Sequence, residues 1–375
     1  MLQLMRVKFA AAAIGIVACT SAASAITFNE FDSFGDSTID DGWWLGAQQG
    51  SCDGAPSPCT TGSPLKDTLI SNAIALGATG APVGAGFSSS AQLLANLYGL
   101  TALPTNQPNG TNYAISGALS AATAANGNSG NLNPNKTLPS TAQQIMNYLA
   151  SHAGNPQALY LVSSGGNDVT YANNNFTTLA DKENYLAGQA SALAQAIQQI
   201  QITGGQHILV HGLAGTGTLG VFWTSTLFSD LTNLGVHFVA SDIKSLVQTI
   251  QANPTAYGFT SATVQEGVPG TGTGSACVWT GNSTLTGWGQ WCANTITPST
   301  SYAYLRSANA EQTSLYSDDQ HFSAAGNALV ANYDFSLLNA AAAVPGPTVG
   351  AGLPGLVAGF GAMLVWYRRR RAATI

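Results

Sequence analysis

The chain has 375 residues, only 7% of them charged, with 11 Lys and Arg against 17 Asp and Glu and a formal net charge of −6. Four of those basic residues are Arg368 to Arg371, so the body is more acidic than the total shows, which argues against a nucleic-acid partner. Low charge with 42 glycines and many Ser, Thr and Asn suits an exported, loop-rich surface, and the length suffices for one large domain with a buried core.

Arg6 and Lys8 precede an apolar run from Phe9 to Ala18, and Ala23-Ser24-Ala25 fits a small-residue cleavage site. Residues 1–25 therefore read as a secretion signal, since the run is too short to span ~30 Å of hydrocarbon. Lipoprotein processing at Cys19, after Ile16-Val17-Ala18, is the rival reading. A strand over Ile26–Phe34 then runs into Gly35-Asp36-Ser37, which places a hydroxyl at a strand end. Alone, Gly-Asp-Ser is ordinary turn composition.

Residues 43–86, with Cys52, Cys59 and many Gly and Pro, read as an insertion. A helix over Ser89–Tyr98 follows, then a strand over Tyr113–Ile115 that opens into Ser116-Gly117-Ala118. An Asn/Gly-rich loop over 121–136 leads to a helix over Thr141–His152. The apolar run Leu159–Ser163 reads as a buried strand ended by Gly165-Gly166-Asn167-Asp168. Helices are expected over Asp181–Ile202, Thr224–Leu234 and Ile243–Asn253, interleaved with strands over His207–His211 and Val236–Ala240. A loop over 267–298 holds Trp279, Trp288, Trp291, Cys277 and Cys292. Asp318-Asp319-Gln320-His321 then precedes a helix over Ser323–Ala342.

Leu159–Val162 and Ile208–Val210 are continuous apolar runs, as in parallel strands covered on both faces. Strand-then-helix alternation favours a three-layer α/β/α sandwich on a mostly parallel sheet of about five strands. Ligands of such sheets collect outside the carboxyl ends of strands, where Ser37 and Asn167 fall.

A nucleophilic serine needs a base, and histidine suits neutral pH. His321 is a candidate, with Asp318 able to fix its tautomer from the same loop. Read alone, Asp-x-x-His is an acidic loop before a helix N-cap at Ser323. Asn167 can offer a side-chain N–H, and Gly117 a backbone N–H with close approach, to a developing oxyanion. No Cys/His spacing argues for zinc, and neither a metal nor an organic cofactor is implied. His207 and His211, four apart in a strand, read as packing residues. Trp43, Trp44, Phe222 and Trp223 either line an acyl or sugar site or pack over the core edge.

Taken in this order, the segments around Phe34-Gly35-Asp36-Ser37, Asn112–Ala118, Gly165–Asp168 and Asp318–His321 resemble the four sequence blocks of the GDSL (SGNH) family of serine esterases and lipases. Gln92–Leu100 and Tyr257-Gly258-Phe259 agree with it too. The resemblance implies Ser37 as nucleophile, His321 as base and Asp318, rather than its neighbour Asp319, as the orienting acid. It implies an oxyanion hole from the N–H groups of Ser37 and Gly117 and the amide of Asn167. Two departures stand out: Thr38-Ile39-Asp40 follows the serine where many relatives have Leu or Tyr, then Ser-Asp. Ser116-Gly117-Ala118 stands where many have Gly-Gly-Ala.

At the other end, Val344-Pro345-Gly346-Pro347 leads into Thr348–Tyr367, about one membrane span, and then into four arginines. That order would leave the basic end in the cytoplasm and the body outside. Residues 344–375 resemble a PEP-CTERM sorting signal of Gram-negative bacteria, with Gly346 where the usual motif has Glu. The resemblance implies an exosortase-type partner; the alternative is a plain single-pass anchor. Between the two signals, residues 26–343 form the expected hydrolase domain. Of the five cysteines, Cys19 goes with the signal, and proximity pairs Cys52 with Cys59 and Cys277 with Cys292.

The expectation is thus an exported serine hydrolase of carboxylic esters, either lipid or acylated glycan, held at least transiently at the cell envelope. A carbohydrate O-acetyl esterase acting on exopolysaccharide is an alternative. A non-catalytic glycan- or lipid-binding module on the same fold is another, because fold alone does not prove activity.

Overall fold

The computed structural model describes residues 26–48, 64–84, 86–121, 138–215, 217–263, 274–280 and 291–343. Residues 1–25, expected to be a secretion signal, Cys52, Cys59, Trp288 and the segment from 344 onward lie outside the described residues. Residues 27–341 make one compact unit. Among the described residues, no helix is long and apolar enough to cross a membrane.

The centre is a four-stranded sheet in the order β1 (Glu30–Gly35), β2 (Ala158–Ser163), β3 (His207–His211) and β4 (Val239–Ser241). All three pairings are parallel. Every residue of β2 is buried, so this strand carries apolar side chains on both faces, as its unbroken run requires. Residues 113–115 run beside β1 but form no strand of the sheet. Tyr113 N–H and Ile115 N–H donate to Ser33 O and Gly35 O at 2.7 and 3.1 Å, and the only bridge there is Ser33 to Asn112. The ladder stops because the Gly35 N–H, which would continue it, donates to Gln144 Oε1 at 2.9 Å instead.

One face of the sheet is covered by α4 (Thr141–Leu149), α6 (Leu179–Ile202) and α7 (Thr218–Asn233), which bury Ile145, Leu193, Ile197 and Trp223 against Tyr160 and Val162. Trp223 is fully buried, so Trp223→Ala would cost about 3–5 kcal/mol. On the other side lie α3 (Ser90–Leu97), α8 (Ile243–Ala252) and α10 (Ala324–Ala343). There Asp334 of α10 holds His211 Nε2 at 2.8 Å and accepts the Ser241 hydroxyl at 2.6 Å, which ties the helix to the ends of β3 and β4. The other strand histidine, His207, packs edge-on to Phe28.

Side-chain caps set the helix starts. Ser89, Ser140, Thr178 and Asp242 each accept an N–H from the first turn of α3, α4, α6 and α8. The α7 helix begins six residues before Thr224, because Gly217 serves as its N-cap position and Leu219 and Trp223 share a buried face.

Among the described residues, four further helices escape the periodicity reading: α1 (Trp43–Gln48), α2 (Pro64–Ala75), α5 (Gly166–Asn175) and the short α9 (Ala310–Thr313). A second small sheet, β5 (Cys277–Val278), β7 (Ala303–Leu305) and β6 (Cys292–Ala293), is crossed by a Cys277–Cys292 disulfide with the Cα atoms 6.1 Å apart. Trp43, Trp44, Trp279 and Trp291 pack in one core around it. These tryptophans, like Trp223, are therefore interior residues and do not line an open site.

Candidate active site

The turn after β1 is tightly built. Gly35 is required by close approach, since a Cβ there would stand 2.1 Å from the Ser163 carbonyl oxygen. Gln144 clasps the same glycine, accepting its N–H at 2.9 Å and donating to its carbonyl at 3.0 Å. Asp36 N–H donates to Ser163 O, and Asp36 O accepts the N–H groups of Ile39 and Asp40. Asp36 Oδ1 accepts from Thr38 N–H at 3.0 Å and Thr38 Oγ1 at 2.8 Å. Ser37 therefore sits inside a closed Asp36–Asp40 turn, half-buried, and its hydroxyl makes no hydrogen bond among the described residues.

The histidine loop is as constrained. Asp318 Oδ2 holds His321 Nδ1 at 2.8 Å, while Oδ1 accepts the N–H groups of Gln320 and His321, both at 2.7 Å. Ser317 N–H donates to His321 O at 2.8 Å, and Tyr316 bridges and stacks on Phe322, closing the loop at its base. The small sheet backs this loop: Ala276 and Cys277 donate to the carbonyls of Tyr316 and Ser317 at 2.8 and 2.7 Å. Both members of the pair are buried. Burial opposes the charge on His321, but Asp318 outweighs it and raises the imidazole above its ordinary range. Burial likewise works against the Asp318 carboxylate, yet His321 and the loop N–H groups hold it below the usual value.

Asp36 connects the two loops. Burial pushes its carboxyl up, the Thr38 bonds pull it down, and His321 is near enough to pull in the same direction. His321 Nε2 has no hydrogen-bond partner among the described residues, so one ring nitrogen is engaged and the other is left for chemistry. Ser37 and His321 are not hydrogen-bonded to each other.

The groups expected to stabilise an oxyanion are tied to this turn. Asp40 accepts from Gly42 N–H and Trp43 N–H through Oδ1, and from Ser116 N–H and Oγ–H through Oδ2, at 2.6–2.9 Å. Gly117 follows directly, with a φ of 94° that only glycine adopts freely. Asn167 lies in the first turn of α5 (Gly166–Asn175), and one hydrogen of its amide goes to Ala118 O at 2.9 Å, which leaves the second. Asp168 accepts from Ser120 N–H and Oγ at 3.0 and 2.8 Å, giving a second tie between the two segments; burial pushes its carboxyl up to about 7. The positive end of α5 favours negative charge near Asn167.

The structure thus brings Asp318 and His321 into direct contact and ties Asn167 to the residue after Gly117. It shows no hydrogen bond between Ser37 and His321. Sequence reading missed the supporting shell of Asp40, Gln144 and Asn327. Asn327 accepts from Ser90 N–H and donates to the carbonyls of Phe322 and Ser323, just beyond His321. For Asp40 a signal existed, its place three residues after Ser37; for Gln144 there was none. Among the described residues no group of three or more His, Cys, Asp or Glu is placed to hold a metal ion.

Against known families, a model described as GDSL-like lipase/acylhydrolase matches residues 33–333, a span that includes Ser37, Gly117, Asn167, Asp318 and His321. No curated protein matches the chain.

Proposed function

From the premise that this chain belongs to the GDSL-like lipase/acylhydrolase family, we propose that it is an exported serine hydrolase of carboxylic esters that works through an acyl-enzyme. Ser37 Oγ attacks the ester carbonyl while His321 Nε2 takes its proton. Asp318, at Nδ1, keeps the imidazole in the right tautomer and stabilises the imidazolium. The N–H groups of Ser37 and Gly117 and the second amide hydrogen of Asn167 hold the oxyanion. His321 then protonates the departing alcohol, and water, activated by the same histidine, releases the acid.

The observation that carries this reading is the buried 2.8 Å contact between Asp318 and His321, whose far nitrogen has no hydrogen-bond partner among the described residues. The substrate is a lipid ester or an acylated glycan. Export, and attachment through residues 344–375 with processing by an exosortase-type enzyme, rest on the terminal segments of the sequence. The test is hydrolysis of a short-chain nitrophenyl ester by the wild-type protein and by Ser37→Ala. The account expects turnover to fall on the order of 10⁶-fold; an active Ser37→Ala protein would overturn it.

A further inference from the structure

Glu311 is a buried carboxylate that the mechanism above does not use. It lies in the short helix α9, seven residues before Asp318, with 1% of its surface exposed. Its two oxygens divide between the two ends of the histidine loop. Oε1 accepts the Ser317 hydroxyl at 2.8 Å, on the residue just before Asp318. Oε2 accepts the Ala324 N–H at 2.7 Å, at the start of α10 and three residues after His321. Space for the carboxylate is made by Gly84, where a Cβ would come within 2.7 Å of the Glu311 carboxylate carbon and Oε1.

We infer that Glu311 is a positioning residue for the Asp318–His321 loop, clamping its entry and its exit with one side chain. The inference rests on the hydrolase reading above. The same points carry other bonds, Ser317 N–H to His321 O, Ser323 to Leu315 O and Ser314 O, and Asn327 to the Phe322 and Ser323 carbonyls, and Glu311 adds one side-chain bond at the entry and one at the exit. A buried carboxylate with two engaged oxygens is rigid, because releasing either donor leaves an unsatisfied polar group in the interior. Burial pushes its carboxyl up to about 7, against the pull of Ala324, Ser317 and Gly84, and Asp318 is the titratable group that faces it. A shift of about 1 Å in the imidazole is enough to lose ~10²-fold in turnover. Nothing in the histidine block announces this role, since the clamp lies outside it.

Three variants of the full chain test the clamp: E311A, E311Q and S317A. E311Q keeps an acceptor for the Ala324 N–H and can donate to Ser317, so it is the partial rescue. Expected are ~10²-fold loss of kcat in E311A, ~10-fold in S317A and less than either in E311Q, with KM within ~3-fold throughout. A second readout is independent of activity: the downfield proton resonance of His321 Nδ1–H, assigned with H321Q and recorded well below the melting temperature. It should broaden or vanish in E311A and S317A and persist in E311Q. Should E311A fail to fold, S317A, which removes one hydrogen bond and no bulk, decides alone. Wild-type kcat with an unchanged resonance in S317A or in folded E311A would overturn the clamp. If wild-type protein hydrolyses no ester, the hydrolase reading fails instead, and the resonance still decides whether Glu311 holds the loop.

Discussion

Asp40 grips Ser116 twice through one oxygen, accepting its N–H at 2.8 Å and its hydroxyl at 2.6 Å. The other oxygen holds the N–H groups of Gly42 and Trp43. The Ser37 turn and the residue before Gly117 are therefore one rigid piece, although 76 positions separate Asp40 from Ser116 in sequence. Asp40→Asn keeps the size but puts an NH2 group against at least one N–H donor. Turnover should fall by ~10–10²-fold, with KM little changed, as Gly117 loses its setting. Steady-state kinetics on a soluble ester check this; an unchanged kcat would separate Asp40 from the oxyanion groups.

Removing one oxyanion donor has a known scale. Asn167→Ala takes away an amide hydrogen but leaves Ser37, His321 and Asp318 in place. It should lose about 10²–10³ in kcat and retain measurable activity. The same change breaks the bond to Ala118 O, so a melting curve should accompany the kinetics.

The pH profile follows from the Asp318–His321 pair. His321 acts as a base only when neutral, and its pKa is raised above the ordinary 6.5. The acid limb of kcat/KM should therefore have its midpoint above 6.5, with activity lost as pH falls through it. In Asp318→Asn the raising partner is gone and the tautomer is unset. The midpoint should move down, and the rate should fall on the order of 10⁴-fold.

Stability should run the other way with pH. Burial pushes the carboxyls of Asp32, Asp41, Asp168 and Glu311 up to about 7. In the unfolded chain they titrate near ~4. Between those values the folded state binds more protons, so stability falls as pH rises. Asp318, held low, contributes a constant amount across this window. The melting temperature should be higher at pH 5 than at pH 8, by ~2–4 °C for each kcal/mol recovered. A protein more stable at pH 8 would contradict the dominance of burial over hydrogen bonding at these acids.

Much of the fold was legible because the signals were local. Caps at Ser89, Ser140 and Asp242 and the unbroken run of β2 mark elements within a few residues of themselves. The α5 helix was not, because Gly165-Gly166-Asn167-Asp168 has turn composition and only Asp168 and Ala172 of the helix are buried. The two-residue strands β5 and β6 were not either, as they depend on the disulfide and on the tryptophans around it. At the site, the Asp318–His321 contact could be read because both residues lie in one short loop, three positions apart. The supports could not: Gln144 meets Gly35 across 109 positions and Asn327 meets Ser90 across 237, distances no local pattern encodes.

The disulfide connects that hidden support to function. Cys277 is bonded to Cys292, 15 residues on, and its N–H holds the Ser317 carbonyl. Replacing both cysteines by serine should destabilise the protein by about 3 kcal/mol. Below the melting temperature, turnover should fall as the histidine loop loosens. Denaturant titration and kinetics on the same sample separate the two effects.

The most direct test of the central claim is covalent labelling of the folded protein with a fluorophosphonate, with the adduct mapped by mass spectrometry. The account predicts a single adduct on Ser37, formed slowly in His321→Ala and absent after heat denaturation. Labelling of another serine, or none on folded protein, would contradict an assembled Ser37–His321–Asp318 site.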